Sequence, residues 1–380
     1  MKIKSVILKI LIATLISLGF YFLMDYVVVQ KWDNKESIIV KLLEAAPEHV
    51  KKYDDKDLNT DPNKDKYRIL EREIVILPLS NPNSGVQKIN VMRLENTGLN
   101  LIIGRKYLLV WDVFEDGTVQ YSVADAFRVP AVGAFILGVF LTLILLTGKT
   151  GLYAVLGLLA SIGILIFVMI PLIVKGWSPI TLAIASVFII STVTILCVVR
   201  HSRYRLVALL GSLGGVLCGF LVGAIVVYAW QLNGLGGEGA ALLASTLPRL
   251  NMRGILLSSI LVGAIGAVLD VGVSITASMS EFVDYDPDIH LDRLLLAGLN
   301  VGKEVLGSMI NTLILAYIGS SLPMAILISS GGVNITGILN DPYIGQEIIQ
   351  SLAGTLGLLF TIPVTAFFFV IQEGIRRRDE

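Results

Sequence analysis

The sequence predicts a membrane bundle of about eight transmembrane helices with a small β-rich domain, a barrel or a sandwich, near its N-terminus. Three observations carry this. Of 380 residues, 54% are hydrophobic and 16% charged, against about 25% charged in soluble domains. From residue 130 onward, apolar runs of bilayer-spanning length follow one another. Between 31 and 127 the character changes, and most of the chain's Asp, Lys and Asn gather among short alternating runs.

Residues 2–29 open with Lys2 and Lys4 and stay apolar for more than twenty residues. That is too long for a signal-peptide core, and no small-x-small cleavage pattern follows. A signal-anchor helix is expected, so 1–30 forms the first division of the chain.

Residues 31–127 are the second division. The opening IIVKLLEAAPEHVKKY has mixed helical spacing, and DDKDLNTDPNKDK is loop-like. The runs YRILEREIVILPL, GVQKINVMRL, GLNLIIGRKYLLVWDVF and TVQYSVADAFRV then alternate, punctuated by NPNSG, NTG and EDG. About five short strands are expected, with EDG as a hairpin turn.

Residues 128–380 are read as a seven-helix membrane domain. The expected spans are 130–147, 152–174, 179–199, 206–231, 254–280, 304–329 and 348–373. Placing the N-terminus inside gathers Lys149, Arg200, Arg203, Arg205, Arg293, Lys303 and Arg376 to Arg378 on the cytoplasmic side. The opposite short loops hold only Lys175, Arg249 and Arg253. This implies a multi-pass plasma-membrane protein with both termini cytoplasmic and residues 31–127 extracytoplasmic.

The polar groups inside the apolar runs carry the functional reading. An ionised carboxylate in mid-bilayer costs about 2.5–3.5 kcal/mol on insertion scales, so it needs a partner, a proton or water. Asp270 lies ten residues before Ser280, roughly 15 Å deep at 1.5 Å per residue. Ser259, Gly263, Ala267, Asp270, Ser274 and Ala277 share one helix face. In the next span Asn300, Glu304, Gly307 and Asn311 share another, flanked by Ser308 and Thr312. Two antiparallel helices can bring these stripes together. They would then form an ion- or substrate-binding site of Asp270, Ser274, Asn300, Glu304, Ser308, Asn311 and Thr312. The plainer alternative is a packing seam, in which small residues allow close approach and hydroxyls bond across it.

Gly211, Gly215, Gly219 and Gly223 recur every four residues and predict tight packing, either on an internal helix or on another subunit. Residues 234–252 are too short to span and suit a surface helix or re-entrant turn. Asp284, Asp286 and Asp288 begin like an EF-hand loop, but Ile289 and Leu295 stand where Gly and Glu are required. After Pro287, Ile289, Leu291, Leu294, Leu295 and Leu299 suit a short amphipathic helix. Pro323 and Pro363 are expected to kink or break the last two spans.

Several function classes receive no support. Lys and Arg balance Asp and Glu, 30 against 30, which gives no case for nucleic acid. Cys197 and Cys218 lie in apolar segments as packing residues. His49, His201 and His290 make no metal-ligand spacing. There is no phosphate loop and no nucleophile motif. Neither an enzyme nor a cofactor or metal is expected.

GAIGAVLDVGVSITASMSE and GLNVGKEVLGSMINTLILAYIGSSLP, with the loop between them, resemble the YibE/F-like bacterial membrane proteins. The resemblance spans about 128–375 and is densest at 262–323. It implies a multi-pass plasma-membrane protein of the YibE type, with an extracytoplasmic domain. It also implies a shorter YibF-like partner subunit. Its pattern usually has Asp in the place of Glu304, and this chain keeps an acid there. It implies no activity. The residues themselves point to a transporter or permease for an ion or small polar solute. The alternative is a non-transporting scaffold or accessory subunit, and a homo-oligomer fits either reading.

Overall fold

The computed structural model describes residues 3–32, 37–47, 49–50, 69–79, 85–94, 100–114, 117–199, 202–237, 239–330 and 335–379. The expected polar loop at 54–66, most of the NPNSG and NTG turns, Arg200 and His201 lie outside them. The chain divides into two compact units, Met1–Gly148 and Lys149–Glu380. Among the described residues, eight helices are long and apolar enough to cross a membrane.

Among the described residues, the first unit holds α1 (Ile3–Gln30), six strands and α2 (Val129–Thr147). The strands are β1 (Ser37–Ala45), β2 (His49–Val50), β3 (Ile69–Pro78), β4 (Gln87–Leu94), β5 (Lys106–Val113) and β6 (Val119–Ala126). β1 pairs antiparallel with both β3 and β5, β3 with β4, and β5 with β6; β4 and β6 close the ring in parallel. Five strands therefore make a closed barrel, and β2 is a short addition beside β3. This is the Greek-key order of an OB-type barrel. The closing β4–β6 ladder is short, Val91 with Tyr121 and Met92 with Ser122, so it covers only part of those two edges.

The barrel corrects one expectation. The segment with mixed helical spacing begins as strand β1. Its Val40 and Leu42 are buried in one cluster with Ile74, Ile76, Val91 and Leu109. Pairing on both sides of β1 outweighs local propensity, which in strands is strongly context-dependent. The β5–β6 hairpin closes with Phe114 N–H donating to Thr118 at 2.9 Å and Gly117 at φ +81°. Glu115 and Asp116 of the EDG turn lie outside the described residues. α1 and α2 pack together where Ser17 meets Gly138. Near the end of α1, Asp25 pairs with Lys106 of β5 at 2.6 Å.

The second unit begins with α3 (Lys149–Ile164), a π-helical turn (Leu165–Met169) and α4 (Ile170–Val174). α5 (Pro179–Val198), a 3-10 turn (Ser202–Tyr204), α6 (Arg205–Ala229) and α7 (Ala240–Thr246) follow. The remaining helices are α8 (Met252–Tyr285), α9 (Leu291–Ser330), α10 (Ile335–Leu339) and α11 (Pro342–Asp379). α8 is the hub, packed against α5, α6, α9 and α11. It starts on an Asn251 cap, whose side chain accepts from Gly254 N–H at 3.0 Å.

Two helical expectations change. The amphipathic stretch after Pro287 is no separate helix but the first turns of α9, which runs unbroken for 40 residues. Of the kink or break expected at Pro323 and Pro363, the break does not occur: α9 and α11 continue through them. Their lost N–H bonds are tolerated because neighbouring turns carry the helix through.

Candidate functional site

Seventeen residues of α8 are buried, from Gly254 to Val283, and they cover most of its circumference. What remains is one narrow face. Gly263, Gly266, Asp270 and Ala277 are exposed on it, and Ser259, Ala267 and Ser274 are half-buried. α9 is the opposite case. Its buried residues are Leu294, Gly298, Gly302 and Ser321, and Asn300, Glu304, Gly307, Ser308, Asn311 and Thr312 are all exposed.

Two contacts set the register between these helices. The Tyr317 hydroxyl lies over Gly263, and Met279 lies over Gly298. In antiparallel helices of equal rise, this puts Asp270 level with Ser308 and Ser274 level with Glu304. The structure thus brings the polar residues of α8 and α9 to matching heights, but on outward faces rather than in a sealed seam. The Ser308 and Thr312 hydroxyls donate to their own helix, to Val305 O at 2.9 Å and Ser308 O at 3.1 Å. Among the described residues, the side chains of Asp270, Asn300, Glu304 and Asn311 have no hydrogen-bond or ion-pair partner.

The glycine stripe of α6 faces α11. Gly211 meets Thr365, Gly215 meets Thr361, Gly219 meets the backbone of Ala353 and Gly357, and Gly223 meets Ala353. A side chain at these positions would separate two helix backbones, so this contact is internal to the unit. Thr361 donates to Gly357 O at 2.7 Å, which keeps its hydroxyl satisfied in the interface.

Sequence reasoning passed over the most buried acid among the described residues of the unit. Glu373 of α11 is 0% exposed. It accepts from Arg376 at 2.6 Å, from Arg377 at 3.3 Å and from the Tyr204 hydroxyl at 3.2 Å. Arg377 also donates to Ile289 O at 2.7 Å, and the Tyr204 ring stacks on Phe369 with centroids 4.4 Å apart. The network ties the start of α6 and the α8–α9 connection to the end of α11. The signal was available as Glu373 followed three and four residues later by arginines. Nearby, Asp284 pairs with Arg203 at 2.9 Å, an ordinary role for an acid in a failed EF-hand pattern.

Glu347, early in α11, was also passed over. Its Oε2 is buried without a hydrogen-bond partner, and it lines a cavity of about 250 Å³ with Tyr317. One turn on, Gln350 donates to the Ser259 hydroxyl of α8 at 3.0 Å. Among the described residues, no group of three His, Cys, Asp or Glu could hold a metal ion.

A family model described as YibE/F-like protein matches residues 135–373. The chain belongs to that family. No curated protein matches it and no solved structure matches it. In this YibE/F-like chain the matched stretch starts within α2 and ends at Glu373, so it takes in every polar side chain of α8 and α9 described above. The barrel lies ahead of it. Membership and the long apolar helices make this a membrane protein.

Proposed function

We propose that this YibE/F-like protein is a transporter or permease for an ion or small polar solute. Its site is the polar face carried by α8 and α9. One observation supports this above the rest. Asp270 and Glu304 are exposed and unpartnered on helices long and apolar enough to span a bilayer. Lipid is a prohibitive neighbour for such groups. They need either water or another subunit, and a polar path bordered by a second subunit supplies both. That subunit is a second copy or a shorter relative without the barrel. We take the N-terminus as cytoplasmic and the barrel as extracytoplasmic in the plasma membrane, on the distribution of Lys and Arg. No catalytic chemistry is invoked.

The test uses the full chain in proteoliposomes, with charge-translocation currents and an entrapped pH dye read against a panel of cations and small polar solutes. Asp270→Asn is expected to abolish the wild-type response at equal expression and equal thermal stability. An Asn variant that keeps the full response sinks the reading.

A second reading, an accessory or scaffold subunit, is favoured by the same outward face, since an unpartnered polar helix face also suits assembly. Deleting residues 35–125 separates the two. A scaffold that works through the barrel loses all function, whereas a transport core retains part of it.

A further inference from the structure

We infer that the loop 100–105, on the membrane-facing rim of the barrel, inserts Ile102 and Ile103 into the headgroup boundary of the bilayer and so anchors the barrel to the lipid surface. The inference needs α1 and α2 to span the membrane and does not depend on transport.

Height comes first. Ser17 of α1 meets Gly138 of α2, which in antiparallel helices puts Asp25 level with Pro130, at the start of α2. Asp25 pairs with Lys106 at 2.6 Å, and Phe127 N–H donates to Lys106 O at 3.0 Å. The start of β5 is therefore held beside the start of α2 and the last turns of α1, where the two apolar spans end. β6 runs into α2, and β5, antiparallel to it, runs away from the membrane. Residues ahead of Lys106 thus lie on the membrane side of the barrel. Ile103 is three residues ahead, within about 10 Å of Lys106. At the same level the Trp32 ring meets Phe127 edge-on, with centroids 6.0 Å apart. Tryptophan is enriched where membrane spans meet water.

The loop is built to present its tip. Arg105 N–H donates to Ile102 O at 3.2 Å, closing a turn with Gly104 at φ +88°. A glycine in that third position is the type II pattern. The buried Tyr107 hydroxyl accepts from Ile102 N–H at 2.6 Å and donates to Asn100 O at 3.1 Å. Gly104 N–H donates to Leu42 O at 2.8 Å, and Leu42 N–H to Arg105 O at 3.0 Å, which ties the turn to β1. These bonds hold the backbone inward and leave Ile102 47% and Ile103 63% exposed. Arg105 is exposed beside them. Aliphatic side chains next to a cation suit the boundary between acyl chains and phosphates. The β5–β6 hairpin exposes Val113, Phe114 and Val119 as well. It lies at the far end of β5, roughly 20 Å from the membrane side, so height and not exposure alone selects the loop.

The test is nitroxide labelling of the full chain in liposomes of phosphatidylethanolamine and phosphatidylglycerol, with Cys197 and Cys218 replaced by Ser. Ile103→Cys carries the label, and Val113→Cys is the aqueous control. Oxygen concentrates in the bilayer and a nickel chelate in water, so their relative effect on the spin relaxation of the label reads its depth. At 103 oxygen is expected to act more strongly than the chelate, and at 113 the order is expected to reverse. Relaxation at 103 chiefly by the chelate, as at 113, overturns the insertion. Weak relaxation at 103 by both reagents means that protein covers the tip, and this overturns it too. Ile102→Cys repeats the reading from the neighbouring position should the exchange at 103 disturb the turn.

Discussion

The Tyr204 hydroxyl donates to Glu373 Oε2 at 3.2 Å, joining residues 169 positions apart. Glu373 is fully buried and its other oxygen is held by Arg376 and Arg377. Removing one partner of a fully buried pair costs about 3–5 kcal/mol; here Arg376 and Arg377 are 29% and 25% exposed, so the cost falls below that range. Glu373→Ala should therefore lower the thermal midpoint of the detergent-solubilised chain. Tyr204→Phe should lower it less, since it removes one hydrogen bond to a charged group, about 1.5–3 kcal/mol. Equal melting of Glu373→Ala and wild type would show that the network contributes nothing.

Gly219 faces backbone, not a flexible side chain. A Cβ there would lie 2.5 Å from Ala353 O and 2.9 Å from Gly357 N. Neither can rotate away, so α6 and α11 must separate. Gly219→Ala should cost about 1–3 kcal/mol, the usual range for overpacking. Gly266→Ala is the control, because nothing lies within 4 Å of a Cβ at that position. It should melt at or slightly above wild type, since Ala is the better helix former. Thermal shift of the two variants side by side decides the matter.

Asp125, at the end of β6, is held below the ordinary carboxylate value of 3.8 by the Ala126 N–H and then by Arg128. A carboxyl lowered in the folded state contributes stability above its unfolded value. That contribution fades as pH falls through the folded value. Asp125→Asn should therefore melt below wild type at neutral pH, and the gap should close in acid. A gap that is constant down to about pH 2 would mean the effect is not one of charge.

Much of this architecture is legible in the linear pattern. Runs near twenty apolar residues mark the spans, because bilayer thickness and helix rise set their length. Four glycines at intervals of four announce a close helix contact, because that spacing keeps them on one face. The alternating runs from residue 69 onward mark strands for the same kind of reason. That the polar residues of α8 and α9 lie at comparable heights also follows from counting residues.

Other features depend on pairings that are distant in the chain. Residues 37–45 become a strand because β3 and β5 flank them, and spacing within the segment carries no trace of either neighbour. Gly219 packs on Gly357, and nothing near Gly219 names α11 as its partner. Glu373 is buried and Asp270 exposed, although an apolar run surrounds Asp270 and a basic tail follows Glu373. Helical periodicity assigns a residue to a face of its own helix. Whether that face meets protein or the surroundings depends on how the other helices pack around it, and that is a property of the assembled bundle.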